Sequence, residues 1–210
     1  MPEPLRNLDP EVIRGNLERV RERAGPEVEI LAATKYVPVR EMGALADAGV
    51  RLVGENRLQD LEAKRERWGE RFVWDFIGNL QSRKVKAIVP QVRLIHSLAS
   101  ESALGQLERQ ASADAEVLVE VNLAGEQGKV GIHPDELDGF IERCPVRVSG
   151  LMTMPPFTDD PEASRPYFAR LRELAAERGL ERLSMGTSQD WEVAVAEGAT
   201  IVRLGTALYR

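Results

Sequence analysis

Short, nearly continuous apolar runs recur along the whole chain, and longer segments with helical periodicity separate them. Such runs are typical of buried strands in a parallel sheet, because those strands are covered on both faces. The first run, for example, reads Val-Glu-Ile-Leu-Ala-Ala. The pattern predicts eight strands, at residues 28–33, 50–53, 71–77, 92–95, 116–121, 146–151, 183–184 and 200–204.

The intervening segments predict helices with recognisable starts and stops. Asp9 is a candidate N-cap with Pro10 at the first helical position, and Gly25 and Pro26 end that helix. Eight strands alternating with helices predict an α/β fold, a single (β/α)8 TIM-type barrel with an extra N-terminal helix. An open doubly wound sheet is the alternative. Further helices are predicted at residues 38–48, 58–68, 81–89, 101–111, 134–141, 161–178 and 189–197.

The two ends of the chain refine this prediction. Six residues follow Leu204, which leaves little room for a full helix behind the last strand. We expect the N-terminal helix to occupy that place. The chain has 210 residues, 43% of them hydrophobic, and shows no linker or low-complexity segment. It is therefore expected to fold as one domain over residues 1–210.

Charge and cysteine content narrow the function classes. The net charge of -6 argues against nucleic acid and anionic membranes as partners. The single cysteine, Cys144, allows no internal disulfide and suits a reducing compartment. The N-terminus lacks the apolar segment of a signal peptide, and no run approaches membrane-spanning length. We therefore expect a cytoplasmic protein.

Polar and small residues gather where the predicted strands end, and a barrel carries its chemistry at those ends. Lys35 ends the first strand. Ser188 follows the seventh strand and Gly205-Thr206 follows the eighth, as in a phosphate cup, and Arg203 adds a cation beside it. A lysine facing a phosphate cup could hold a phosphorylated aldehyde. Pyridoxal 5'-phosphate (PLP), which forms a Schiff base with lysine, is the obvious candidate.

A larger set of motifs at the same strand ends resembles a known family. The chain is similar to the PLP homeostasis proteins, which are single-domain relatives of the alanine racemase N-terminal barrel. The combination is specific, although no single segment is, and the segments follow the family's order along almost the whole chain. They are Ala33-Thr-Lys35, Gly54-Glu-Asn56, Phe76-Ile-Gly-Asn-Leu-Gln-Ser-Arg-Lys84, Ile95-His-Ser97, Lys129-Val-Gly-Ile132, Gly150-Leu-Met-Thr-Met154, Leu183-Ser-Met-Gly-Thr-Ser188 and Val202-Arg-Leu-Gly-Thr-Ala207.

The resemblance implies roles for particular residues in binding PLP. Lys35 would carry the cofactor as a Schiff base. Ser188 and the backbone of Gly205 and Thr206 would hold its phosphate, with the Thr206 hydroxyl joining them. Asn56, in the matching Gly-Glu-Asn segment, is included among the cofactor-binding residues.

The resemblance also implies a separate role for Arg203, which would contact the pyridine nitrogen of PLP. Arginine does not give up its proton at ordinary pH, so a nitrogen that accepts its hydrogen bond stays unprotonated. An unprotonated ring is a poorer electron sink, which suits carrying the cofactor better than turning over a substrate. The alternative is an outward-facing arginine in a surface ion pair.

Three residues depart from the family's pattern. Val53 stands where an aromatic residue is usual, and Asp75 stands where a histidine often precedes Phe-Ile-Gly. Both leave the lysine and phosphate positions intact. Thr187 stands where methionine is usual, and it lies beside the phosphate loop. Its expected effect is on the detailed geometry of that loop.

Two histidines and one further lysine are candidates for a metal site or a second PLP site. His96 and His133 lie far apart in sequence, so with one cysteine they form no recognisable metal site. His96 is more typical of a core histidine with its hydrogen bonds satisfied. Lys129 lies in a glycine-rich loop that lacks the ending of a phosphate loop. We treat Lys129 as a candidate secondary acceptor of PLP.

The residues predict a PLP-binding site, and the resemblance implies the role: a non-catalytic protein that stores the cofactor and transfers it, with PLP-dependent apo-enzymes as candidate recipients. The alternative is a PLP-dependent amino-acid racemase. Racemisation needs acid–base groups on both faces of the α-carbon, and racemases take one of them from a second domain that is not expected here. A barrel enzyme that acts on a phosphorylated metabolite through Lys35, and an interaction module, are further alternatives.

Overall fold

The structure is a computed structural model that describes residues 4–112, 114–125, 128 and 130–210. Its first element, helix α1 at Pro10–Ala24, begins as the sequence predicts. The Asp9 carboxylate accepts a hydrogen bond from the backbone N–H of Glu11 at 2.8 Å. Gly25 ends the helix with a φ of 84°, a left-handed conformation that favours glycine.

Eight parallel strands form a closed barrel in the described part of the chain. Each strand pairs with the next in chain order, and the last closes the ring by pairing with the first, where Leu31 lies opposite Arg203. The predicted barrel is confirmed and the open sheet is excluded. The strands are β1 (Glu29–Ala33), β2 (Leu52–Glu55), β3 (Val73–Phe76), β4 (Leu94–Leu98), β5 (Glu116–Glu120), β6 (Arg147–Met152), β7 (Arg182–Thr187) and β8 (Ile201–Leu204).

Helices follow the strands around the barrel, and several are shorter than predicted because a 3-10 turn forms first. Such turns cover Val39–Glu41, Ser82–Lys84, Pro134–Glu136 and Pro161–Ser164. Proline tolerates a first-turn position because its missing N–H would lack a partner there. The helices are α2 (Met42–Asp47), α3 (Leu58–Trp68), α4 (Val85–Ile88), α5 (Glu101–Gln110), α6 (Leu137–Glu142), α7 (Arg165–Ala176), α8 (Trp191–Ala196) and α9 (Thr206–Tyr209).

Helix α1 occupies the place of the missing full-length helix after β8. It packs against α8 and α9 on one side and against α2 on the other. The Asn16 amide nitrogen donates to the carbonyl oxygens of Leu208 at 3.1 Å and Arg210 at 3.0 Å, which fastens α1 to the C-terminus. The expected position of α1 behind the last strand is confirmed. The four-residue helix α9 was not predicted from the sequence.

Alternation along the strands divides the apolar side chains into two cores. Ala32 and Val53 belong to the large core between the strands and the helices. Their chain neighbours belong to a separate cluster, because successive strand residues point to opposite faces. That cluster fills the barrel interior, so the barrel is packed and is not a pore. It consists of Leu31, Leu52, Leu94, Leu118, Met152 and Ile201.

Candidate functional site

A cavity of about 640 Å³ opens at the carboxyl ends of the strands, and we call it the upper cavity. The site residues predicted from the sequence come from several strand ends, and all of them line this cavity. The structure therefore brings the whole predicted set to one place. The set is Lys35, Asn56, Ser188, Arg203, Gly205 and Thr206.

Lys35 lies just beyond β1 with its side chain exposed, and its Nζ is 4.9 Å from the ring centre of Tyr36. The residue before it is buried and held on two sides. Thr34 Oγ1 donates to Glu55 Oε1 at 2.6 Å, and the Thr34 carbonyl oxygen accepts from Lys64 Nζ at 2.7 Å. The backbone at Lys35 is thus anchored while its amine stays accessible.

Lys64 and Glu55 form a buried ion pair beneath this strand end. Lys64 is 3% exposed and Glu55 is fully buried, and Lys64 Nζ donates directly to Glu55 Oε1. A charge buried this deeply persists only when it is partnered. Lys64 is not predicted as a site residue from the sequence, because a charged helix residue normally faces solvent. Its signal is the three-residue spacing from Leu61, which is buried on the same helix face.

Asn56 follows β2 and presents an unused acceptor. Its Oδ1 is buried and has no hydrogen-bond partner among the described residues. A buried amide oxygen normally has a partner, so this one is available to an N–H or O–H group of a ligand in the cavity. Gly78 permits the arrangement, because a Cβ there would lie 2.1 Å from the Asn56 carbonyl oxygen.

The turn after β8 supplies converging N–H groups. The Ser188 hydroxyl oxygen accepts from the backbone N–H of Gly205 at 3.0 Å and of Ala207 at 3.2 Å. Three polar groups therefore meet at one point, as binding of an anion requires. A Cβ on Gly205 would meet no described protein atom within 4 Å, so nothing inside the protein fills the space beside it.

Ser188 lies shortly before α8 but does not cap it, because Asp190 occupies the N-cap position. Asp190 fixes the turn before that helix instead. Its Oδ1 accepts from the Thr187 N–H at 2.7 Å and from the Thr187 hydroxyl at 3.1 Å, and its Oδ2 accepts from Ser164 at 2.8 Å. Thr187, the departure beside the phosphate loop, thus helps to fix the turn that presents Ser188 to Gly205.

Arg203 points inward and is 4% exposed, so the outward alternative is wrong. Its Nη1 donates to Ser184 Oγ at 2.5 Å, and its Nη2 donates to the Thr153 carbonyl oxygen at 3.0 Å. Burial lowers the pKa of its guanidinium to about 10, against the attraction of the Glu120 and Asp190 carboxylates. The side chain therefore remains a cation and a hydrogen-bond donor at neutral pH.

Both ends of the chain contribute to the wall of the upper cavity, through Leu5, Tyr209 and Arg210. The Tyr209 hydroxyl donates to the Ala33 carbonyl oxygen at 3.1 Å, and burial raises the pKa of its phenol. The sequence analysis missed these residues, because the strand-end pattern carries no information on where the termini lie.

A second cavity, of about 710 Å³, opens at the opposite end of the barrel, and we call it the lower cavity. Its lining is mostly aliphatic, and the charged pair Arg93 and Glu29 within it is already joined at 2.7 Å. It is larger than the upper cavity, but its other charged lining residues, Arg21, Glu22 and Arg51, are exposed, and none of the site residues predicted from the sequence lies in it. We therefore take the upper cavity as the functional site.

The remaining candidates from the sequence have clear positions. His96 is fully buried with both ring nitrogens in hydrogen-bonding contact, so the predicted core histidine is confirmed. Lys129 lies outside the described residues. Within the residues that the structure describes, no group of three or more histidine, cysteine or acidic side chains is placed to hold a metal ion. No described helix is long and apolar enough to cross a bilayer.

Comparisons with known proteins agree with this geometry. The family described as alanine racemase, N-terminal domain, matches residues 8–210. The pyridoxal phosphate homeostasis protein of Aquifex aeolicus is 41% identical over 92% of this chain and 93% of its own length. That of Pseudomonas aeruginosa is 37% identical over 87% and 84%. The structure of PipY of Synechococcus elongatus PCC7942 with PLP bound is 31% identical, with a TM-score of 0.83 over 94% of this chain and 100% of PipY.

Proposed function

Because the chain belongs to the alanine racemase N-terminal domain family, we propose that it binds PLP and takes part in PLP homeostasis by storing and transferring the cofactor. One observation carries the proposal. A lysine amine, a phosphate cup and a buried arginine line the same cavity of about 640 Å³. Residues 1–210 would act together as one PLP-binding barrel domain.

PLP, when bound, supplies an aldehyde that a lysine amine holds reversibly as a Schiff base and that another amine can take over. Two lysines lie at this strand end, and their surroundings differ. Lys64 is buried and bonded to Glu55 and Thr34, whereas the Lys35 amine is exposed to the upper cavity. We therefore assign the reactive amine to Lys35 and an anchoring role to Lys64.

Ser188, Gly205 and Thr206 would hold the phosphate. The Ser188 hydroxyl accepts from two converging backbone N–H groups. A phosphate oxygen that took its place would gain those two donors without rearrangement of the backbone, and the displaced hydroxyl could donate to the phosphate. Thr206 lines the cavity and can add its hydroxyl. Asn56 would use its free amide oxygen to orient the ligand from the other side of the cavity.

Arg203 would face the pyridine nitrogen. Since a guanidinium donates hydrogen bonds and accepts none, it fits a ring nitrogen that has no proton. Such a ring withdraws electrons weakly, which favours carriage over catalysis. We therefore propose a non-catalytic protein, located in the cytoplasm, that passes PLP to PLP-dependent apo-enzymes. Neither nucleic acid nor membrane is part of this proposal.

Absorbance spectroscopy with borohydride reduction tests the proposal. Wild-type protein incubated with PLP should acquire a visible band that borohydride abolishes, and mass spectrometry should place the reduced adduct on Lys35. Lys35→Ala should show neither. The matched control is Lys86→Ala, which removes an exposed lysine on α4 that does not line the upper cavity and should behave as wild type.

Two outcomes would overturn the proposal. A wild type that stays colourless with PLP would favour the enzyme that acts on a phosphorylated metabolite through Lys35. Steady formation of D-amino acids by the PLP-loaded protein would show that it is a racemase and not a carrier of PLP. Transfer is checked separately, by whether loaded protein restores activity to a PLP-dependent apo-enzyme faster than Lys35→Ala protein mixed with the same amount of PLP.

A further inference from the structure

Four polar side chains form a continuous hydrogen-bonded chain inside the barrel behind the site. Arg203 Nη1 donates to Ser184 Oγ at 2.5 Å, Ser184 Oγ lies 2.8 Å from His96 Nδ1, and His96 Nε2 lies 3.1 Å from Asp75 Oδ2. None of the four is more than 4% exposed. They come from four different strands, so only closure of the barrel brings them together. We call this set the interior chain.

The interior chain ends on a second arginine at the lower cavity. Arg93 donates to both carboxylate oxygens of Asp75, from Nε to Oδ1 at 3.0 Å and from Nη2 to Oδ2 at 2.7 Å, and Nη2 also reaches Glu29 at 2.7 Å. Bidentate pairing of this kind is strong and fixes geometry. Burial opposes ionisation of Asp75, but hydrogen bonds from His96 and Arg93 prevail and lower its pKa.

The direction of the hydrogen bonds follows from the chemistry of the two ends. An ionised Asp75 can only accept, so His96 Nε2 must carry a proton. Arg203 can only donate, so Ser184 accepts from it and has its own proton to place. His96 Nδ1 is the acceptor at 2.8 Å. The one arrangement that satisfies every contact is a neutral His96 with its proton on Nε2.

Burial and two nearby arginines disfavour a charged His96, and they outweigh the opposing attraction of Asp75. Asp75 on β3 attracts the charge, while Arg203 on β8 and Arg93 at the start of β4 repel it, and Ser184 on β7 is neutral. Burial is the largest influence, and with the two arginines it lowers the pKa of His96. If His96 Nδ1 carried a proton, it could not accept the hydrogen bond from the Ser184 hydroxyl.

Serine, histidine and aspartate also form the triads of hydrolases, but this set cannot act as one. Ser184 is fully buried and does not line the upper cavity, and its oxygen already accepts from Arg203. A nucleophile must reach its substrate. The residues behind Arg203 therefore act through Arg203 and not on a ligand.

We propose that Asp75, His96 and Ser184 are positioning residues that fix the Arg203 guanidinium as a donor toward the upper cavity, so that it selects a ligand ring nitrogen able to accept. The identity of that ligand rests on the proposed function, but the direction of the interior chain is a property of the protein alone. Asp75, a departure from the family's usual histidine, would be the anchor of the chain.

Nitrogen-15 NMR of the ligand-free protein tests the direction. The chain has two histidines, so His133→Gln leaves one signal set to assign to His96. We expect the shifts of a neutral ring protonated on Nε2 at neutral pH. A ring protonated on Nδ1, or a charged ring, would overturn the proposal whether or not the protein binds PLP.

Two substitutions of the same residue test positioning. His96→Asn can keep an amide oxygen near the Nδ1 position and so preserve the bond from Ser184. His96→Gln can keep a donor near Nε2 for Asp75 but loses the acceptor for Ser184. In the PLP-loaded protein we expect His96→Gln to shift the absorption spectrum and His96→Asn to shift it less, because of the three positioning residues only Ser184 contacts Arg203 directly. A merely structural role would make both variants alike, and that result would overturn the proposal.

Ser184→Ala gives the size of the effect. Losing one hydrogen bond to a charged group should raise the Kd for PLP about tenfold. The matched control is Ser149→Ala, which removes another buried serine hydroxyl, one that has no hydrogen-bond partner among the described residues. Equal affinities in the two alanine variants would overturn the proposal. Absence of PLP binding in the wild type would instead count against the proposed function, and the NMR result would still stand.

Discussion

The two ends of the barrel carry cavities of similar size and different chemistry. The upper cavity, about 640 Å³, is lined by an exposed lysine amine, a hydroxyl with two converging backbone N–H groups and a buried guanidinium. The lower cavity, about 710 Å³, is lined mainly by aliphatic side chains, and its Arg93 and Glu29 are paired with each other. Volume therefore does not identify the site, whereas the gathering of an accessible amine, backbone N–H groups and a buried cation in one cavity does.

The difference has a simple origin in the direction of the chain. Strands in a parallel barrel all run the same way, so the residues that follow them meet at one end and the residues that precede them meet at the other. The segments after the strands here supply Lys35 and are rich in serine, threonine, asparagine and glycine. Those before them supply the aliphatic side chains of Val28 and Val50. The following predictions test this contrast, beginning with the largest effect.

The buried ion pair at the upper end should matter more for stability than an exposed charge at the lower end. Lys64→Ala leaves the Glu55 carboxylate buried without its partner, and we expect it to cost about 3–5 kcal/mol in the free energy of unfolding. Arg51→Ala, at an exposed arginine that lines the lower cavity, should change it by less than about 0.5 kcal/mol. Urea denaturation measures both. Equal losses would mean that Glu55 does not depend on Lys64.

Filling each cavity with a larger side chain should separate their functions. Gly205→Val places its methyl groups where nothing in the protein lies within 4 Å of the Cβ, in the space assigned to the phosphate. We expect the Kd for PLP to rise about 100-fold. Val73→Phe is the matched control, because Val73 is 44% exposed and lines the lower cavity. If the control weakened PLP binding as much, the assignment of the upper cavity would be wrong.

Much of the fold could be predicted because buried parallel strands are continuous apolar runs. The apolar runs predict all eight strands, but they predict only two residues of β7, because Met185, Gly186 and Thr187 have the composition of a loop. Gly186 has a φ of 90°, and a Cβ there would lie 2.6 Å from that of Ala194, so glycine serves close packing of α8 at the strand end. A single sequence does not distinguish that use of glycine from a turn.

The site residues that directly follow a strand could be predicted from the sequence. The structure brings the six predicted residues to one cavity. Their individual roles toward PLP remain predictions. Lys64 was missed because its burial depends on Glu55, a partner on another element. The interior chain was missed because its contacts cross the barrel between strands β3, β4, β7 and β8. Hydrophobic patterns predict which residues form a strand, but they do not predict which side chains meet across a closed barrel.

The smallest effect concerns pH and tests the link between the two ends. Burial lowers the pKa of His96 below its ordinary value of 6.5, so below that pH the unfolded chain binds a proton that the folded protein refuses. Stability should be independent of His96 above this value and fall on acidification toward the folded pKa, by at most about tenfold in the folding equilibrium constant per pH unit. His96→Asn should lack this component. Parallel urea titrations of the two proteins from neutral to mildly acidic pH measure the difference. If the free energies of unfolding of the two proteins change with pH in parallel, His96 binds a proton as readily in the folded protein as in the unfolded chain. The assignment of a neutral His96 between Ser184 and Asp75 would then be wrong.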